Sequence, residues 1–312
     1  MARQSRRHQG SGRHRPRSVR ELVAGTFFAA LMAAPPALAA DEAIPLQHNP
    51  SGHLTLPVTI DGSGPFIFLF DTGASHTAIA QPVESLGFQS QWRELNDVQS
   101  LTTRFEAERF YIEGVDFSAQ PPINLNAVVI PVSDEASNPV AGLLGADAIL
   151  SPRYTIDFTE GEVRLQTGPV TRADGQVTDI GLLTGMARTY RGIGEIRVML
   201  DSGSAYSIVN PRFGQRIRQR YGGIRFNING VDNDVENEGR SVQVRALRIG
   251  GLCVGSIPAL EADLDIFRAL DWGGEPAMII GMDILQFATV SVDRQSGHFQ
   301  IDSTAPELAC NT

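Results

Sequence analysis

The sequence predicts an all-β protein built from two similar lobes, and three observations support this prediction. The 312-residue chain contains 31 glycines and 18 prolines, and its apolar runs are short, which favours many strands and turns over long helices. Hydrophobic residues make up 42% of the chain and charged residues 20%, as in a soluble protein with a sizeable core. The second half of the chain also repeats the motifs of the first half in the same order.

The internal repeat is clearest in two pairs of segments. "FLFDTGASHTAIA" (68–80) corresponds to "VMLDSGSAYSIVN" (198–210), and each runs apolar residues into an Asp-[Thr/Ser]-Gly motif. "GLLGADAILSPRYTIDFTEGEVRL" (142–165) aligns without gaps to "MIIGMDILQFATVSVDRQSGHFQI" (278–301). The offset is 130 residues for the first pair and 136 for the second, so six additional residues lie between the motifs of the second half. Such insertions are typical of loops.

Each half predicts the same order of elements: a strand, the Asp motif, a hairpin, alternating strands, an apolar strand ending in Gly, a short helical turn and a closing hairpin. The predicted organisation is a leader (1–40), an N-terminal lobe (41–166), a linker (167–181) and a C-terminal lobe (182–312). We expect the two lobes to face each other, because each must bury one side of its strands.

Residues 1–40 have the pattern of an export signal, with seven arginines, then an apolar stretch, then Ala37-Leu38-Ala39 as a cleavage pattern. The apolar stretch is short for a bilayer span, so cleavage is favoured over a stable membrane anchor. The protein is therefore predicted to be exported, either periplasmic or secreted. Without the leader the formal charge changes from −9 to −15, which disfavours nucleic acid as a partner.

Asp71 and Asp201 each end a strand that reads as buried, where a carboxylate is costly unless a partner compensates it. If the two motifs converge, the two carboxyl groups share one proton. The ionised one can then take a proton from water while the other donates to a peptide carbonyl.

The neighbouring residues of each motif are predicted to support such a pair. Gly73 and Gly203 allow close backbone approach and offer their N–H groups. The hydroxyls of Thr72 and Ser202 can bond across the lobe interface.

Two such motifs in a duplicated chain resemble the aspartic proteases of the pepsin and retropepsin group, and most of all the retropepsin-like bacterial proteins. The resemblance covers nearly all of residues 50–303. It implies two tandem retropepsin-like β-barrel lobes related by a pseudo-two-fold axis, with Asp71 and Asp201 as the catalytic pair of an aspartic endopeptidase. It also implies that residues 143–145 and 279–281 lie on strands beside the pair, that the substrate is a polypeptide, and that no cofactor is needed.

The chain departs from this family pattern in two places. The hairpin of the first half, "NDVQSLTTRFEAERF", has no glycine, whereas that of the second, "NINGVDNDVENEGRSV", has two glycines and several acids. We expect the second hairpin to be more mobile and to disfavour acidic substrate residues. Three residues after the aspartate, the first motif has Ala74 and the second has Ser204. We expect the Ser204 hydroxyl to bond Asp201, which would make Asp201 the ionised member and Asp71 the proton carrier.

Other polar residues are predicted to be structural. Asp147 and Asp283 suit the first turn of a short helix, and Asp157 and Asp293 suit the closing strands or their turns. The histidines, including His53 and His76, show no ligand spacing, so no metal is predicted. Cys253 and Cys310 could form one disulfide or remain separate thiols, and the sequence leaves both open.

Two alternatives to a monomeric protease remain open at this stage. One is a catalytically inactive retropepsin-like protein that binds an extended peptide between its lobes. The other is a homodimer in which each lobe pairs with its twin. The duplication within one chain and the short linker favour a monomer with intramolecular pairing.

Overall fold

The computed structural model describes residues 43–80, 93–117, 120–130, 140–189, 194–217, 220–228 and 237–304. The predicted leader, the tip of the second hairpin and Cys310 lie outside these residues. Cys253 is disulfide-bonded. Within the described ranges, no helix is both long enough and apolar enough to span a membrane.

The described part of the first half consists of short strands and one helical turn. These are β1 (Ala43–Pro45), β2 (Gln47–His48), β3 (Leu54–Ile60), β4 (Ser63–Phe70), β5 (Ala78–Ala80), β6 (Arg93–Gln99), β7 (Arg104–Asp116), β8 (Ile123–Ile130), β9 (Gly142–Leu144), a 3₁₀ helix (Ala146–Ala148), β10 (Arg153–Asp157) and β11 (Glu162–Leu165).

The second half repeats this order with three short helices among its described residues. Its elements are β12 (Gly175–Val177), β13 (Leu183–Thr189), β14 (Gly194–Leu200), β15 (Ile208–Val209), α1 (Pro211–Gly214), β16 (Arg220–Ile228), β17 (Asn237–Ile249), β18 (Leu252–Glu261), α2 (Asp265–Ala269), β19 (Ala277–Ile280), α3 (Met282–Leu285), β20 (Ala288–Asp293) and β21 (His298–Ser303).

Each half closes into a six-stranded barrel. In the first, the strand order β3-β4-β9-β5-β8-β7 returns to β3 through the pairing of Thr59 with Asp116. In the second, β13-β14-β19-β15-β18-β17 returns to β13 through the pairing of Arg188 with Arg248. The identical order confirms the prediction of an all-β protein with two tandem barrel lobes.

The two barrels are joined by a sheet to which both halves contribute, in the order β1-β11-β10-β20-β21-β12. Its central pair is antiparallel β10 and β20, with Thr155 opposite Ser291 and their hydroxyls 3.0 Å apart. The largest apolar cluster includes residues of both halves, among them Ile156 and Val290, which are fully buried. The two lobes therefore share a core as well as a sheet.

Residues 167–181, predicted as a linker, contribute a strand. β12 pairs with both β13 and β21. In the first lobe, the equivalent strands are paired by two separate strands: β1 pairs with β11, and β2 pairs with β3. In the second lobe, β12 alone takes both places. The three residues Gly-Gln-Val are too few and too polar to show strand periodicity in the sequence.

Candidate active site

The two aspartates lie at equivalent positions at the ends of β4 and β14. The backbone N–H of Asp71 donates to the carbonyl of Leu144 on β9, and that of Asp201 donates to the carbonyl of Ile280 on β19, each at 3.0 Å. Strands β9 and β19, which end one residue before Gly145 and Gly281, thus lie beside the aspartates. Asp71 is half-buried and Asp201 is 2% exposed.

Four reciprocal hydrogen bonds lock the two aspartate loops together across the lobe boundary. The Thr72 hydroxyl donates to the carbonyl of Leu200 and accepts from the N–H of Ser202, both at 3.0 Å. The Ser202 hydroxyl donates to the carbonyl of Phe70 at 2.7 Å and accepts from the N–H of Thr72 at 3.0 Å. Thr72 and Ser202 are both buried, so water does not compete for these groups.

The glycines of the motifs hold the two carboxyl groups close together. Gly73 N–H donates to Asp71 Oδ1 at 2.8 Å, and Gly203 N–H donates to Asp201 Oδ1 at 2.9 Å. A Cβ atom on Gly203 would lie 2.5 Å from Cγ of Asp71, and one on Gly73 would overlap the Asp201 carboxylate. Each glycine therefore lies against the carboxyl group of the other lobe, a position that no larger residue can take.

The two carboxyl groups are hydrogen-bonded to each other and behave as a pair. Burial raises the pKa of both. The pKa of Asp201 is raised well above its usual range, by burial and then by the charge of Asp71. The rise in the pKa of Asp71 is opposed by hydrogen bonds from Gly73, Asp201 and Gly203 and by the charge of His53. With both pKa values raised, the two carboxyl groups share one proton, and the pair titrates jointly.

The sequence-based prediction for Ser204 is wrong. Its hydroxyl donates to the backbone carbonyl of Tyr206 at 2.9 Å, and its backbone N–H, not its hydroxyl, supports the Asp201 carboxylate. A carbonyl two residues away is within easy reach of a serine side chain, and such local bonds compete with longer ones. The predicted charge assignment, with Asp201 ionised, therefore loses its basis.

Asp147 and Asp283 are structural, as predicted, but they act through hydrogen bonds to Thr77 and Ser207 and not through the helix dipole. Asp147 Oδ1 accepts from both the N–H and the hydroxyl of Thr77 at 2.8 Å. Asp283 accepts from the N–H of Ser207 at 3.0 Å and from its hydroxyl at 2.6 Å. Thr77 and Ser207 each lie six residues after the motif aspartate, so these carboxylates fix the far end of the two aspartate loops.

Asp157 and Asp293 fix the turns of the closing hairpins. Asp157 Oδ1 accepts from the N–H groups of Thr159 and Glu160, and Asp293 Oδ1 accepts from those of Gln295 and Ser296. Within the part of the chain that the structure describes, no group of three or more His, Cys, Asp or Glu side chains has the arrangement of a metal site.

The tip of the first hairpin, between β6 and β7, reaches the second lobe. Leu101 packs against the second lobe's apolar cluster around α2, and the N–H of Ile266 donates to the Leu101 carbonyl at 3.2 Å. The turn is braced by the Ser100 hydroxyl, which donates to the carbonyl of Thr103 at 3.0 Å. Because the second hairpin's tip lies outside the described residues, the greater mobility of that hairpin stays a prediction.

His53 is a residue of this site that the sequence reasoning missed. It lies just before β3 in the first lobe and is half-buried, and burial lowers the pKa of its ring while the charge of Asp71 opposes this change. It belongs to no ligand or catalytic motif. A residue-by-residue alignment of the segments that precede the two motifs would have drawn attention to it, because its counterpart is apolar.

The fold and the site together define a duplicated two-barrel protein with two interlocked Asp-[Thr/Ser]-Gly loops at the lobe boundary. A family model described as aspartyl protease matches residues 56–148 and 188–284, one region in each lobe and together more than half of the chain. The chain therefore belongs to the aspartyl protease family, and the predicted resemblance is confirmed. No curated protein matches the sequence significantly.

Proposed function

We propose that this protein is an aspartic endopeptidase that hydrolyses peptide bonds with a water molecule activated by Asp71 and Asp201. The observation that carries the proposal is the interlock of the two loops, in which each motif's glycine lies against the other motif's carboxyl group. A turn that happened to begin with Asp would not need a second such turn packed against its carboxyl group, since holding two carboxyl groups together away from water is costly.

Asp71 and Asp201 share one proton, and this sets the roles in the mechanism. The ionised carboxylate of the pair takes a proton from the water, whose oxygen attacks the carbonyl carbon. The protonated carboxyl group donates its proton to the carbonyl oxygen, which gives a tetrahedral diol without a covalent bond to the enzyme. The carboxyl group that took the water's proton then passes it to the amide nitrogen, and the C–N bond breaks. One hydroxyl proton of the diol moves to the other carboxylate as the carboxylic acid forms, so the pair returns to its starting state.

The substrate is an extended polypeptide bound between the lobes, where main-chain hydrogen bonds to strand edges provide affinity for many sequences. The acids of the second hairpin would disfavour acidic substrate residues. We further propose that the protein works as a monomer after export to the periplasm or the medium. The leader pattern and the acidity of the remaining chain support export, and the shared sheet and core support intramolecular pairing of the lobes.

The test compares the wild type with Asp71→Asn and Asp201→Asn on an unstructured, fluorophore-quenched polypeptide between mildly acidic and neutral pH. We expect each substitution to abolish cleavage while circular dichroism shows an unchanged fold. Cleavage that survives either substitution would refute the proposal.

Two further arms of the same experiment separate the alternatives. If a mixture of the two inactive variants regains activity, pairing occurs between chains, and the monomer proposal fails. The second candidate function, peptide binding without turnover, is supported if the wild type binds the polypeptide but does not cleave it.

A further inference from the structure

A pocket lies on the outer face of the second lobe, between strands β12 to β14 and the turn that follows α2. Its volume is about 390 Å³, within the range of about 300–1,000 Å³ that is usual for small-molecule sites. Its lining includes the side chains of Thr184, Met186, Arg197, Trp272 and His298. We call it the β12–β14 pocket.

This pocket is separate from the aspartate pair. Arg197 lies four residues before Asp201, which is about 13 Å along an extended strand. Between them, Met199 is fully buried in the apolar cluster of the second lobe, and Trp272 belongs to the same cluster while also lining the pocket. A ligand in the pocket would therefore lie outside the catalytic site.

The pocket offers hydrogen-bond donors that the protein itself does not use. Arg197 Nε donates to Glu275 at 2.6 Å, and the two terminal nitrogens of Arg197 make no hydrogen bond within the part of the chain that the structure describes. The Thr184 hydroxyl and the His298 ring likewise have no hydrogen-bond partner among the described residues. The free terminal nitrogens of a guanidinium can bind both oxygens of a carboxylate.

The one carboxylate that lines the pocket is already occupied. Asp174 accepts from Arg172 Nε at 2.6 Å and from the backbone N–H of Ile301 at 3.0 Å. It therefore does not compensate the unused donors of Arg197. A ligand group that accepts hydrogen bonds and carries negative charge would complement these donors.

The pocket also has an apolar side. Met186, opposite Arg197 on the neighbouring strand, is 46% exposed, and Trp272 forms part of the wall. A methionine side chain is flexible and polarisable, so it can pack against apolar groups of different shapes. The ligand that fits both sides is a carboxylate attached to a small apolar group.

The first lobe provides an internal comparison, because its matching positions lack these donors. Ile67 lies four residues before Asp71, as Arg197 does before Asp201, and the gapless alignment places Glu162 where the second lobe has His298. An isoleucine and a glutamate cannot bind a carboxylate, so the donor set belongs to the second lobe alone. The shared fold does not require it.

We propose that the β12–β14 pocket binds the C-terminal residue of a peptide, with the carboxylate on Arg197 and an apolar side chain against Met186 and Trp272. The binding itself does not depend on the proposed function. Its biological meaning does, because hydrolysis of a polypeptide produces new C-terminal carboxylates, and the pocket would then hold a product outside the catalytic site.

The binding is tested by NMR titration of the full-length protein with N-acetyl-leucine. The backbone signals of Gly175 and Gly185 and the indole signal of Trp272 should shift, with a dissociation constant on the order of 1 mM for a ligand of this size. N-acetyl-leucinamide, which has the same shape without the charge, should bind about tenfold more weakly. Equal binding of the amide, or shifts only at Gly73 and Gly203, would overturn the proposal. Binding of inorganic phosphate as tight as that of N-acetyl-leucine would also overturn it, since the site would then take any anion.

Two variants test the residues of the pocket. Arg197→Gln should weaken the binding of N-acetyl-leucine about tenfold. Because it also removes the bond to Glu275, His298→Glu is the second variant, which keeps that bond and should weaken binding by adding a negative charge. Arg188→Gln is the matched control, since Arg188 also pairs with a glutamate, Glu195, but does not line the pocket, and it should leave the dissociation constant unchanged.

Unweakened binding in folded Arg197→Gln and His298→Glu variants would refute the proposal, as would an equal loss in the control. If the wild type cleaves no polypeptide, the proposed function fails, and the titration with N-acetyl-leucine still decides whether the pocket binds a carboxylate.

Discussion

Thr72→Val is expected to destabilise the protein by about 2–4 kcal/mol, because it breaks one side of the lock between the aspartate loops. Valine has nearly the shape of threonine, so the change removes a hydroxyl without opening a cavity. The lost hydroxyl leaves the buried Ser202 N–H without its partner, at a cost of about 1–3 kcal/mol. Its own bond to the Leu200 carbonyl adds about 0.5–1.5 kcal/mol. The free energy of unfolding of a typical protein is about 5–15 kcal/mol, so this is a large loss of stability.

The free energy of unfolding is measured by urea titration followed by circular dichroism. Thr155→Val is the matched control, since Thr155 is also buried at the lobe boundary and bonds the Ser291 hydroxyl at 3.0 Å. Thr155→Val removes a bond between two side chains and leaves no backbone group without its partner, so it should lower the free energy of unfolding by about 1 kcal/mol or less. If Thr72→Val is no more destabilising than Thr155→Val, the loops are not held together by these hydrogen bonds.

Three further predictions follow from the site. Asp201→Asn should raise the free energy of unfolding at pH 7 but not near pH 3.8, which is the usual pKa of an aspartate. Because burial raises the pKa of Asp201 in the folded protein, the wild type loses stability as the pH rises above 3.8; an equal effect at both pH values would contradict this. Gly203→Ala should reduce the cleavage rate about 100-fold, because the added methyl group displaces the Asp71 carboxyl group. Gly255 has open space around it, so Gly255→Ala should leave the rate unchanged. Equal rates for the two variants would count against the packing argument. In hydrogen exchange, the first hairpin's tip should exchange more slowly than the second's, and Leu101→Ala should speed its exchange; a first tip that is already the faster one would refute this.

Much of the fold could be predicted because the chain is duplicated. A single Asp-[Thr/Ser]-Gly motif says little, but two copies at matching places in two repeats indicate one architecture used twice. The strand β12 was missed because its three residues carry no periodic pattern, and it exists only because β13 and β21 offer free edges to pair with. Likewise, closure of the first barrel depends on Thr59 meeting Asp116, a contact between residues far apart in the sequence.

The site was predicted in its residue types but not in its electrostatics. The pattern of residues indicated that Thr72 and Ser202 could bond across the interface, because buried hydroxyls need partners. It could not indicate where the Ser204 hydroxyl would point, since a local carbonyl and a distant carboxylate compete for the same donor.

The sequence by itself determined the all-β class, the two lobes and the pair of aspartates, since periodicity, turn residues and repeats are properties of the chain order. Only the tertiary structure decided which groups surround each carboxyl group, and hence that burial raises the pKa of both. The physical reason is that a pKa depends on burial and on charges within a few ångströms, and these neighbours come from both lobes. In this protein, Ala74 and Ser204 differ by one hydroxyl and suggested that Asp201 is the ionised member, whereas in the structure the Ser204 hydroxyl donates to the Tyr206 carbonyl and does not decide the question.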